Sequence, residues 1–201
     1  MKRKTKKPVS VLLCTVLLLS LIPLTAFADE SKAVKITEES KTAELVTDTA
    51  KFISLDEAKE QVLYGLAHCH ILKISDNEIQ WLTGEEDYTA GVNWIRERYQ
   101  IPLILVSMGK EGSRAYYNGT MVEVKPFLQK NTIETTGAGD TFMGCMLDRI
   151  LEKGYQNLQK CDLEAMLQFA NAAASIITTR RGALRVMPER EEIVRLISYI
   201  N

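Results

Sequence analysis

The sequence predicts an α/β protein whose helices cover both faces of a sheet, and three observations support this prediction. First, segments with a helical apolar stripe alternate with short apolar runs along the chain. Second, the apolar runs at 71–74 and 101–106 are short and continuous, which is typical of strands buried on both faces. Third, Asn118-Gly119 separates two strand-like segments and favours a hairpin.

Length, composition and charge agree with this fold class. The chain has 201 residues, of which 46% are apolar and 25% charged, as in an ordinary single globular domain. Its net charge of -1 gives no general attraction to nucleic acid, so we expect no nucleic-acid partner.

The first elements follow from helix signals. Ser54 and Glu57 form a capping box that predicts a helix, and the apolar run 71–74 follows as a strand. Asp76 is predicted to cap a short second helix that stops at Gly84. A third helix is predicted over about 88–99.

The second half continues the alternation. The strand at 101–106 leads into a turn, and strands at 114–117 and 120–124 flank the Asn118-Gly119 turn. A helix is predicted from the next glycine turn to Gly154, and an apolar, buried helix over about 163–179. Pro188 is predicted to open the last helix, which ends near 200.

The N-terminal part has a different character. Residues 1–28 carry a basic start, an apolar run and Ala26-Phe27-Ala28, the pattern of a secretory signal peptide. The alternative is an uncleaved membrane anchor. Residues 29–50 are polar and are interpreted as a linker or weakly ordered arm. The globular domain is predicted over residues 51–201.

The strongest candidates for binding and catalytic residues are Gly137-Ala138-Gly139-Asp140, which lead into a predicted helix. The glycines permit a tight turn, and the free amides at a helix N-terminus attract anions. Asp140 in the first turn would lie within reach of a group attacking a bound phosphate. From the residues alone, an ordinary glycine turn that starts a helix is an equally good interpretation.

The segment Glu134-Thr135-Thr136-Gly137-Ala138-Gly139-Asp140 strongly resembles the second signature of the ribokinase-like (PfkB) carbohydrate kinases. The resemblance implies that the amides of Gly137, Ala138 and Gly139 form an anion hole for the transferred phosphate. It also implies that Asp140 is the catalytic base.

Other segments resemble the same family in order. The family's turn beside the nucleotide is matched by Ser107, Gly109 and Gly112. Its asparagine near the adenine is matched by Asn171, and its glutamate near magnesium is matched by Glu78. Without the resemblance, the glycine pair would be interpreted as a turn that ends a strand, Asn171 as a buried core amide and Glu78 as a solvated helix carboxylate.

The resemblance implies the C-terminal part of a three-layer α/β/α sandwich, preceded by the signal peptide and linker. It implies ATP, Mg²⁺ and a small sugar as ligands. The amino-acid sequence around Ser75 is most similar to that of the fructokinase branch of the family. The segment from Arg180 to Ala183 corresponds to one that, in relatives, helps to shape the nucleotide and monovalent-cation region.

Three departures from the family pattern stand out. Glu134 replaces the usual aspartate, Ser75 replaces the more usual asparagine, and the sugar-binding N-terminal half of the family is absent. Without the missing strands, a central strand would become an exposed edge. Three consequences stay open: an unstable chain, self-association through that edge, or a need for a partner that supplies the lost half.

Two functions therefore remain open. The first is an ATP-dependent, fructokinase-like sugar kinase that uses Asp140 as its base. The second is a non-catalytic fragment, exported or held at the membrane by an uncleaved leader. The leader favours export, whereas kinase chemistry favours the cytoplasm.

Overall fold

The computed structural model describes residues 33–35, 44–46 and 54–200. The predicted signal peptide at 1–28 lies outside the described residues. Within the segment interpreted as a linker, Ala33–Lys35 (β1) pairs antiparallel with Glu44–Val46 (β2). Part of this polar segment therefore forms regular structure.

Helices and strands alternate through residues 54–200, as the apolar pattern predicts. The helices are Leu55–Leu66 (α1), Asp76–Thr83 (α2), Tyr88–Tyr99 (α3), Ala138–Lys153 (α4), Lys160–Ile177 (α5) and Arg190–Ile200 (α6). The strands are Ile71–Ser75 (β3), Leu103–Ser107 (β4), Ser113–Tyr117 (β5) and Thr120–Val124 (β6).

The four strands form one mixed sheet in the order β3-β4-β5-β6. Strands β3 and β4 are parallel, with Ser75 opposite Ser107, whereas β4, β5 and β6 are antiparallel neighbours. The predicted hairpin joins β5 and β6, and both Asn118 and Gly119 have the positive φ that its tight turn requires. The carboxyl ends of β3 and β4 therefore meet at one end of the sheet.

The sheet is covered on both faces, which confirms the three-layer arrangement. One core cluster joins alternate strand residues such as Leu72 and Ile104 to helices α1, α2 and α3. The other cluster joins the intervening residues, such as Ile71 and Leu103, to α4 and α5. Because successive side chains of a strand point to opposite faces, the continuous apolar runs of β3 and β4 serve both cores.

Some helix ends differ from the sequence prediction. The cap of α2 is Ser75 and not Asp76, because Ser75 keeps the extended backbone of β3 and its hydroxyl accepts a hydrogen bond from the amide of Glu78. Helix α5 begins at Lys160, three residues before the predicted start, since Gln159 and Asp162 form a cap. Helix α6 begins at Arg190, two residues after Pro188.

Strand β3 lies at one edge of the described sheet. Its side chains are nevertheless covered, because Ile71, Leu72 and Ile74 are each at most 1% exposed. Self-association through this edge stays a prediction. No helix within the described ranges has both the length and the apolar character needed to cross a bilayer.

Candidate functional site

A cavity of about 410 Å³ opens where β3 and β4 end beside the start of helix α4. In open α/β sheets, ligands bind at the carboxyl ends of the strands, and this cavity lies in that place. Of the site residues predicted from the sequence, six line it: Ser107, Gly109, Gly112, Ala138, Gly139 and Asn171. Folding therefore brings together three segments that are far apart in the chain.

The turn over residues 107–112 forms the first wall of the cavity. Its backbone is bonded internally: the Met108 amide donates to the Gly112 carbonyl at 2.9 Å, and the Glu111 amide to the Met108 carbonyl at 2.9 Å. Gly112 has φ +102°, and a Cβ atom there would overlap the carbonyl oxygen of Val124. Only glycine fits at this position.

The turn over residues 135–140 forms the second wall. The Ala138 amide donates to the Thr135 carbonyl at 3.1 Å, and the Thr141 amide to the Gly137 carbonyl at 2.9 Å. The cap residue Gly137 has φ +77° and no side chain with which to cap the helix. The amides of Gly139 and Asp140 therefore remain as first-turn donors without an intrahelical acceptor. Such donors, together with the helix dipole, attract an anion.

The residues that flank this second turn hold it in place. The Glu134 carboxylate accepts a hydrogen bond from the Gly182 amide at 2.8 Å. A Cβ atom on Gly137 would lie 3.0 Å from the Cβ of Ala183, so the two segments pack closely. Glu134, the departure from the usual aspartate, thus ties the turn to the segment that follows α5.

Asn171 has a structural role as well as a place in the cavity wall. It lies on α5, is 8% exposed, and its Nδ2 donates to the carbonyls of Val124 and Lys125, both at 3.2 Å. The contact joins α5 to the end of β6, beside the position that Gly112 must leave free. The amide group is therefore a bonded core group that also faces the cavity.

Three predicted residues lie outside the cavity lining: Gly137, the cap of α4 described above, Asp140 and Glu78. Asp140, at the third position of α4, is exposed and follows directly after the lining residue Gly139. Glu78 accepts a hydrogen bond from the Ser75 amide at 2.6 Å and closes the cap of α2. Within residues 54–200, no group of three or more His, Cys, Asp or Glu side chains is arranged to hold a metal ion.

Sequence reasoning missed several residues of the cavity wall. They include Lys73 in the middle of β3, Asp76 at the start of α2, and the loop residues Phe127, Leu128 and Gln129. A signal existed for Lys73, because it is the one charged residue of the otherwise apolar run 71–74. The loop residues carried no such signal, since only the tertiary fold brings the loop against α5.

Comparison with known proteins agrees with this architecture. Residues 22–190 match the pfkB family carbohydrate kinase, so the match begins within the segment predicted as a leader. Fructokinase-1 of Zea mays is 33% identical over 144 residues, and fructokinase-2 of Solanum habrochaites is 32% identical over 147 residues. Each alignment covers 72% of this chain and 44% of the relative.

Solved structures give the same result. The fructokinase of Vibrio cholerae O395, bound to fructose, ADP and a calcium ion, is 26% identical, with a TM-score of 0.64 over 71% of this chain and 45% of that chain. The ribokinase of Arabidopsis thaliana, complexed with ribose and ATP, is 27% identical, with a TM-score of 0.57 over 66% of this chain and 42% of that chain.

The chain spans 44% of the length of each of these two plant fructokinases. The family match nevertheless covers most of its residues, and the described fold is that of the corresponding part of the ribokinase-like sandwich. The chain belongs to the pfkB family of carbohydrate kinases.

Proposed function

We propose that the cavity binds the phosphates of ATP and that the chain transfers the γ-phosphoryl group to a hydroxyl of a small sugar such as fructose. The observation that supports the proposal most strongly is the N-terminus of α4 at the cavity: Ala138 and Gly139 line it, and the first-turn amides of Gly139 and Asp140 have no intrahelical acceptor. The choice of fructose is supported by relatives that are named fructokinases.

In this proposal Asp140 acts as the general base. A sugar hydroxyl oxygen forms a bond to the γ-phosphorus, the bond from that phosphorus to the β,γ-bridging oxygen breaks, and ADP leaves. The hydroxyl proton passes to the Asp140 carboxylate. The exposed position of Asp140 at the start of α4 leaves it accessible to a sugar that approaches the bound phosphate.

The other walls of the cavity would hold the nucleotide. The 107–112 turn and Asn171 line the cavity, and the apolar loop residues Phe127 and Leu128 offer a surface for a base. These groups bind and orient the nucleotide, and holding reactants in line is itself a large part of phosphoryl-transfer catalysis.

A magnesium ion fits the residues present, with Glu78 as its protein partner. One oxygen of Glu78 accepts the Ser75 amide, which leaves the second oxygen for a water or an ion. Mg²⁺ is typically bound through one or two carboxylates together with substrate phosphates, so a cluster of three carboxylates is not required. When bound, the ion would neutralise charge on the phosphates.

A monovalent cation near the 180–183 segment is a further part of the proposal. A double mutant of the Vibrio cholerae fructokinase was crystallised with fructose, ADP and a potassium ion. In this chain, the Gly182 amide donates to Glu134, which joins that segment to the proposed phosphate site.

The alternative function is a non-catalytic, exported or membrane-tethered fragment. It is favoured by the leader-like sequence of residues 1–28. A site that lacks the sugar-binding half would neither position the sugar nor exclude water.

Fructose-dependent release of ADP separates the two functions. The full-length chain is assayed with Mg-ATP and fructose beside Asp140→Asn and the control Asp56→Asn, which removes an exposed carboxylate from the first turn of α1. We expect Asp140→Asn to reduce turnover by roughly 10²- to 10⁴-fold, the usual loss for a general base, and Asp56→Asn to leave it unchanged. A folded wild-type chain without fructose-dependent turnover would support the non-catalytic alternative.

A further inference from the structure

Lys73 occupies an unusual position in the fold. It lies in the middle of β3, where the alternation of side chains places it on the same face as Ile71, the face that α4 covers. It is 6% exposed, and within residues 54–200 it is the one charged residue that is buried. Its side chain also lines the cavity at the carboxyl end of the sheet, so its charge faces the space where a ligand would bind.

The lysine side chain reaches the start of helix α4. A Cβ atom placed on Gly139 would lie 3.4 Å from the Nζ of Lys73 and 3.9 Å from its Cε. The ammonium group thus lies beside the amides that carry the positive end of the helix dipole. Two positive groups facing the same cavity repel each other, and an anion between them would be attracted by both.

We propose that Lys73 is a phosphate-binding side chain of this cavity, acting from the strand side while the Gly139 and Asp140 amides act from the helix side. The inference rests on the proposed function, since the anion would be a phosphate of the nucleotide. It assigns a task to a residue that the glycine signature does not include. It also accounts for Gly139, because a larger residue would fill the space between the lysine and the helix.

The arrangement predicts selectivity for phosphates over the nucleoside. In this proposal the Lys73 ammonium group contacts the phosphates and not the nucleoside, so its loss should weaken the binding of ATP and inorganic triphosphate but not the binding of adenosine. A lysine with a purely structural role would change the stability of the chain and leave the ratio of ATP affinity to adenosine affinity unaltered.

Calorimetric titration of the full-length chain tests this inference. ATP, inorganic triphosphate and adenosine are titrated into the wild type, Lys73→Met and the control Lys130→Met, which removes an exposed lysine outside the cavity lining. We expect Lys73→Met to weaken ATP binding about 10- to 100-fold, as for a lost charged hydrogen bond, with adenosine unchanged. Lys130→Met should bind as the wild type does.

Two results would overturn the inference, and they have different consequences for the proposed function. If wild type and Lys73→Met bind ATP equally, Lys73 is not a phosphate ligand, while the proposed function stands. If the wild type binds no ATP, both the proposed function and the inference fail.

A second measurement needs no variant and covers the case in which Lys73→Met does not fold. Acetylation of the wild-type lysines is followed by mass spectrometry, with and without saturating ATP. We expect ATP to slow acetylation of Lys73 and not of Lys130. Equal rates at Lys73 with and without bound ATP would contradict the proposal.

Discussion

The two glycine turns that border the cavity look alike in sequence but differ in how their amides are used. In the 107–112 turn, the amides of Met108, Glu111 and Gly112 donate to carbonyls of the same turn. In the 135–140 turn, the amides of Gly139 and Asp140 have no intrahelical acceptor. The first turn therefore uses its amides within the fold, whereas in the proposed function the second turn offers its amides to a ligand.

The glycines of the two turns have correspondingly different reasons to be glycine. Position 112 requires glycine because its φ is positive and a Cβ atom would overlap the carbonyl of Val124. Position 137 favours glycine because its φ is positive and a Cβ atom would lie close to Ala183. Gly139 has no positive φ, and its open side faces Lys73. Glycine is thus a requirement of folding at the first two positions and, on our account, a requirement of binding at the third.

The largest stability effect is expected within the first turn. Gly112→Ala should lower the free energy of unfolding by roughly 3 kcal/mol, because it adds backbone strain and overlaps a backbone carbonyl. Gly109→Ala is the matched control: φ is +51° and nothing lies within 4 Å of the added Cβ, so a loss of about 1 kcal/mol is expected. Urea unfolding measures both, and equal losses would show that the Val124 contact does not matter.

A smaller but more diagnostic contrast is expected within the second turn. Gly137→Ala should lower stability by roughly 2 kcal/mol, because φ is positive and the Cβ of Ala183 is close. Gly139→Ala should leave stability unchanged or raise it by about 0.5 kcal/mol, since it replaces glycine within a helix. It should nevertheless weaken ATP binding, because the new methyl group lies beside Lys73.

Thermal unfolding and calorimetric titration of the same two variants check this contrast. Full retention of ATP affinity by Gly139→Ala would contradict the account of the cavity. A loss of stability as large as that of Gly137→Ala would show that Gly139 serves folding instead.

Much of the fold could be predicted because its signals are local. The Ser54 capping box, the stop at Gly84 and the Asn118-Gly119 hairpin each depend on residues that are neighbours in the chain, and each is confirmed. The cap of α2 was displaced by one residue, because Ser75 and Asp76 are both good capping residues and only the end of β3 decides between them.

The site was predictable in part, for the same reason. The glycine turns carry a sequence pattern, and the cavity brings them together with Asn171. The bonding of Asn171 to Val124 and Lys125 depends on residues more than 40 positions away, which no local pattern reveals. The closeness of Lys73 to Gly139 likewise depends on the packing of α4 against β3.

Amide hydrogen exchange with and without ATP tests most directly the claim that one turn shapes the cavity and the other binds the phosphate. The amides of Gly139 and Asp140 in the full-length chain should exchange more slowly when ATP is bound, because they would gain a phosphate acceptor. The amides of Met108 and Gly112 should change little, because they are already bonded within their turn. Bound ATP that protects Met108 and Gly112 but leaves Gly139 and Asp140 unprotected would contradict this account.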